Sequence, residues 1–144
     1  MTRASTASIL WPLLAQIVWT FSLYAWLTFA RHQAVGRGEA DYTSFEFNRE
    51  EPPAVARIRL NLANQFELPV IFYAAVALLV ALDQVQAIDV IAGWIFVIGR
   101  VIHTGVQTLT DNVPLRGRVF LINFMAVVVL VVHLAWFALQ GIGS

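Results

Sequence analysis

Two polar sets interrupt an otherwise apolar chain, and both hold groups able to do chemistry. Arg57, Asn61, Asn64 and Glu67 recur at roughly one-turn spacing. At about 100° per residue they share one helical sector roughly 120° wide, with Arg59 pointing nearly the opposite way. Further on, Arg100, His103 and Gln107 stand at i, i+3 and i+7, again on one face. Guanidinium groups bind carboxylates through paired N–H donors. A buried carboxylate such as Glu67 can take an ammonium. The chain has no Cys, so disulfides and thiolate metal sites are excluded and no metal ligand set is expected. Any thiol used here must come from a ligand.

The elements that carry these residues are set by hydropathy. Of 144 residues, 59% are hydrophobic and 12% charged, with mean hydropathy +0.71. A soluble domain of this size needs far more surface charge, so the chain reads as an integral membrane protein. Nine basic residues, all Arg, balance nine acids, and nothing marks a nucleic-acid partner. Arg-only usage hints at a bacterial source. Four apolar stretches, about 9–30, 54–82, 87–109 and 118–140, are long enough to cross a core that takes roughly 20 residues. The first exceeds a signal-peptide core of about 7–15 residues and no clear cleavage site follows it, so it reads as a retained helix. Trp11 near its start suits an interfacial anchor.

The only long loop runs from Arg31 to Pro53 and carries Tyr42, Phe45 and Phe47, which suit either the headgroup level or a cavity mouth. Pro52 and Pro53 stop a helix entering from upstream and are tolerated at a helix start. Short turns at 83–86 and 110–117 make the last three helices antiparallel neighbours. The expectation is a single all-α transmembrane domain, a four-helix bundle running up-down-up-down over residues 1–144. Arg31, Arg37, Arg49, Arg57 and Arg59 lie in or beside the long loop, and Arg116 and Arg118 flank the turn at 110–117. The positive-inside rule puts both in the cytoplasm, with the termini outside and only Arg3 opposing. The setting is a bacterial inner membrane.

An intramembrane Arg or carboxylate costs about 2.5–3.5 kcal/mol, so such groups pair or face a wet cavity. Glu67 lies roughly 20 Å in from the cytoplasmic start of its helix and Arg100 roughly 14 Å in, so a Glu67–Arg100 pair is within reach. Two readings follow. The pair could neutralise itself and lock two helices, with Asn64 as interhelical glue. Alternatively the surplus of guanidinium from Arg31, Arg57, Arg100 and Arg116 could receive a ligand with several carboxylates, and that surplus favours a site. Arg59 and Arg118 read as positive-inside residues. Asn123 and His133 show no companions and read as packing groups.

Arg57, Asn64, Glu67 and Pro69 form an Arg-x6-Asn-x2-Glu-x-Pro pattern. A second run holds Gly99-Arg100-Val-Ile-His103-Thr104, then Val113-Pro114-Leu-Arg116 and Phe120. Together these resemble the MAPEG family, membrane-associated proteins in eicosanoid and glutathione metabolism; the second run is similar to its prostaglandin E synthase-like members. The resemblance implies a homotrimer with glutathione bound between subunits near the cytoplasmic side. It implies a pocket of Asn64, Glu67, Arg100, His103 and Arg116. Arg116, or alternatively Arg100, would stabilise the glutathione thiolate; Arg31 matches a family basic position less closely. Arg57 lies one turn before the position where the family commonly has an Arg, held here by Leu60. Gln107 stands where a Tyr is common, and Pro69 comes one residue early. The activity implied is glutathione transfer or peroxidase action on hydrophobic electrophiles or lipid hydroperoxides. The two departures carry an alternative: a non-catalytic protein that binds lipid or serves as an accessory subunit of a larger membrane complex.

Overall fold

The computed structural model describes residues 2–46 and 51–142; Phe47, Arg49 and Glu50 lie outside the described residues. The described chain is helical, without a strand. Its α-helices are α1 (Thr6–Gly36), α2 (Pro53–Ala63), α3 (Leu68–Ala81), α4 (Ala87–Leu109) and α5 (Val113–Ile142). With α2 and α3 counted as one span, four segments are long and apolar enough to cross a membrane.

Helix α1 is roughly 46 Å long at about 1.5 Å per residue, more than a hydrocarbon core of about 30 Å, so its last turns reach past the apolar layer. It ends where Gly38 takes φ 71°. Gly38 N–H then donates to the Val35 carbonyl and Glu39 N–H to that of Ala34. This is a Schellman closure, which needs a residue free to adopt the left-handed conformation.

The second apolar stretch is not one helix, as its sequence suggested. It breaks at a 3-10 turn (Asn64–Phe66), and Glu67 adopts φ −104°, ψ −104°. Pro69 is the cause, because it has no N–H to give the carbonyl of residue 65 and its ring crowds that carbonyl. In lipid a freed backbone group must find another partner. Beside the break, the neighbouring carbonyl of Asn64 accepts from Arg100 at 3.0 Å. The fourth apolar stretch starts earlier than expected. Pro114 sits in the first turn of α5, where a missing N–H costs nothing, so Arg116 lies on a helix rather than in a loop.

Helix α4 packs on α5, α1 and α2, while α3 packs on α5. The apolar core lies where α3, α4 and α5 meet; Phe72 and Phe96, both fully buried, stack at 4.4 Å between ring centroids. A smaller apolar cluster, including Leu23, Leu27 and Ile58, seals α1 against α2. At Gly99 a side chain would drive into the Asn123 amide, 1.9 Å from its Oδ1, so the absence of Cβ lets α5 seat there. Asn123 is the packing group it was expected to be, fully buried against that glycine.

Candidate functional site

The polar residues of α2 and α4 meet between the two apolar clusters. Arg100, His103, Thr104 and Gln107 all turn inward from α4 and are buried. Opposite them Asn61 and Asn64 each donate through Nδ2 to Gln107 Oε1 at 3.0 Å. Thr104 Oγ1 donates to Asn61 Oδ1 at 2.9 Å. Gln65 extends the network: its Oε1 accepts from Gln16 Nε2 of α1 at 3.1 Å and from Arg100 Nε at 3.3 Å.

The Glu67–Arg100 pair that helix spacing put within reach does not form. The kink turns Glu67 outward to an exposed position, and Arg100 is held by two neutral acceptors, Gln65 Oε1 and the Asn64 carbonyl. Arg100 is thus a buried cation, 1% exposed, without a carboxylate in ion-pair contact among the described residues. Glu67 acts on it only as a more distant charge.

These groups border a half-open cavity of about 420 Å³, lined among others by Asn64, Glu67, Arg100, His103, Arg116 and Phe120. That volume falls within the range of about 300–1,000 Å³ for small-molecule sites. Glu67 and Arg116 are exposed here and make no ion pair among the described residues. His103 packs beside Phe120, with ring centroids 6.5 Å apart, and its Nδ1 is buried without a partner among the described residues. One cavity therefore holds two guanidinium groups and one carboxylate, none in ion-pair contact with an opposite charge among the described residues.

Not every candidate reaches it. Arg57 lines an adjoining cavity of about 220 Å³ that shares Leu60, Gln107 and Arg116 with the first. There it forms an ion pair with Asp111 and donates to the Thr110 carbonyl at 3.3 Å. Arg31 lies elsewhere: it and Arg59 both bind Glu51, whose side chain is 2% exposed. Its guanidinium also sits 5.0 Å from the Phe45 ring centroid. That cluster anchors the end of the long loop. Tyr42 packs against His32, and neither it nor Phe45 lines the cavity.

A model of the MAPEG family matches residues 9–136. The chain belongs to the MAPEG family. No curated protein and no solved structure matches it at a significant level. Members of this family generally use glutathione and typically form homotrimers. Membership and the four long apolar helices together make this an integral membrane protein.

Gln16 and Gln65 are site supports that spacing arguments passed over. Gln16 could have been found as the one amide inside the first apolar stretch; Gln65 was hidden because it falls outside the stripe of Asn61, Asn64 and Glu67 until the helix breaks. His133 also has a companion that spacing missed. Its Nδ1 lies 2.9 Å from both carboxylate oxygens of Asp89, a residue easily read as an ordinary first-turn acid of α4.

Proposed function

We propose that this MAPEG protein is a membrane glutathione transferase or peroxidase acting on hydrophobic electrophiles or lipid hydroperoxides. The observation that carries the reading is the charge pattern of the cavity: among the described residues, buried Arg100 and exposed Arg116 lack carboxylate partners, and Glu67 lacks a cation. A tripeptide with two carboxylates and one ammonium complements that set in sign and number. Asn64 and His103 add polar edges at the same wall, and Arg57 supports the rim through Asp111.

Glutathione brings the thiol that the chain lacks, and its deprotonated sulfur is the nucleophile in such chemistry. A nearby cation favours that form. Arg116 suits this role better than Arg100. Arg100 is held by Gln65 and the Asn64 carbonyl, whereas the Arg116 side chain is uncommitted. Arg100 then orients a carboxylate, and Glu67 selects the ammonium end. The cavity is half open in one subunit, and closing it with a second copy supports assembly as a homotrimer. In that arrangement the long loop and the 110–117 turn face the cytoplasm, from which glutathione enters. The second substrate arrives from the bilayer.

A second reading rests on Leu60 and Gln107. Leu60 puts an apolar side chain in the cavity wall, and the Gln107 side-chain oxygen is committed to Asn61 and Asn64. A non-catalytic subunit that binds lipid or sits in a larger membrane complex would tolerate both. Calorimetric titration of glutathione into the purified protein separates the two. Saturable binding lost in Arg116→Ala supports the enzyme reading. No binding at millimolar glutathione supports the accessory reading.

A further inference from the structure

A third cavity lies at the opposite end of the bundle. Asp89 stands in the first turn of α4, roughly 21 Å along the helix axis from His103. It is fully buried, and its Oδ2 accepts the Gln86 N–H at 2.8 Å. The His133 Nδ1–H donates to the same carboxylate at 2.9 Å, and the His133 side chain is 9% exposed. A carboxylate on Nδ1 fixes the proton there and leaves Nε2 as the acceptor. That Nε2 has no hydrogen-bond partner among the described residues.

His133 lines a cavity of about 590 Å³. Gln86 lines it too. The remaining walls are mostly apolar, including Ile88, Val132, Trp136 and Phe137. Val132 and Trp136 are 59% and 63% exposed in the single chain, so the cavity opens sideways along the length of α5. The arrangement has a polar end at the start of α4, near the membrane edge, and an aromatic and aliphatic flank open to the acyl chains.

We propose that this cavity binds a bilayer-soluble amphiphile with an aromatic hydroxyl head, of the hydroquinone class. A hydroxyl of the head donates to His133 Nε2, which the buried Asp89 carboxylate makes a strong acceptor. Trp136 and Phe137 offer faces for an aromatic ring, and the open side lets a tail run into the bilayer. The site is independent of the glutathione cavity.

The test is titration of decylhydroquinone, kept reduced, into the protein in phosphatidylcholine nanodiscs, beside its dimethyl ether, which has the same shape but no donor. The expected result is saturable binding of the hydroquinone and at least tenfold weaker binding of the ether. Val132→Trp fills the open side without touching Asp89 or His133; it should weaken hydroquinone binding at least tenfold with unchanged melting. His133→Gln should do the same, and because it leaves Asp89 without its partner and can unfold, Val132→Trp decides. The proposal is overturned if ether and hydroquinone bind alike, if Val132→Trp binds as the parent does, or if the hydroquinone does not bind. It is equally overturned if Val132→Trp dissociates the assembly, since the face would then be a contact between copies.

Discussion

Asp89 and Arg100 stand on the same membrane helix, and both are buried, yet the fold treats them in opposite ways. Asp89 is enclosed by a histidine and a backbone N–H at hydrogen-bond distance. Arg100 is given two neutral oxygens and a wall of a cavity, while Glu67, the acid nearest to it by sequence logic, points outward. Donors from the chain fill the Asp89 carboxylate, and that fastens α4 to α5. Arg100, hydrogen-bonded only to neutral oxygens at a cavity wall, keeps an attraction for an outside anion, and in a medium of low dielectric that attraction is strong. The difference lies in what each charge meets: donors of the chain at one end of α4, an open cavity at the other.

The comparison can be broken at either end. Asp89→Ala removes the carboxylate that binds His133 and the Gln86 N–H, and should cost about 3 kcal/mol, as loss of one partner of a buried pair does. Thermal unfolding in nanodiscs checks this, and an unchanged melting point would make the pair incidental. Arg116→Ala should weaken glutathione binding at least a hundredfold in calorimetry and leave melting within experimental scatter, because Arg116 makes no ion pair among the described residues. Glu67→Gln should weaken binding about tenfold by losing the ammonium contact, again without loss of stability. Should binding hold while the oligomer loosens, as read by light scattering, Glu67 is a subunit contact instead. The smallest effect is expected of Gln107→Leu. It strips the shared acceptor from Asn61 and Asn64, and intramembrane hydrogen bonds average only about 0.6 kcal/mol.

Much of the site was legible because helical periodicity carries side chains to predictable faces. Arg100, His103 and Gln107 converge as their spacing requires, and Asn64, Glu67 and Arg116 border the same cavity. Arg31 and Arg57 show the limit. Each was a cation beside a cluster of cations, and only the folded chain reveals the acid that claims it, Glu51 for one and Asp111 for the other. For Glu67 spacing left two readings open, a pair with Arg100 or a ligand site. A continuous helix would carry it toward Arg100, but Pro69 breaks the helix two residues later and turns the carboxylate away.

The sequence by itself determined the class of this protein. Stretches of about 20 apolar residues can satisfy their backbone groups in lipid only as helices, whatever their neighbours do. The family followed as well, since its marks are residue types at fixed spacings. What the tertiary structure alone decided is which polar groups meet. That depends on distances between residues far apart in the chain, such as Asp89 and His133, or Arg57 and Asp111, and on the angle a single proline puts into one helix. Spacing fixes the face a side chain takes on its own helix; only packing fixes what meets it there.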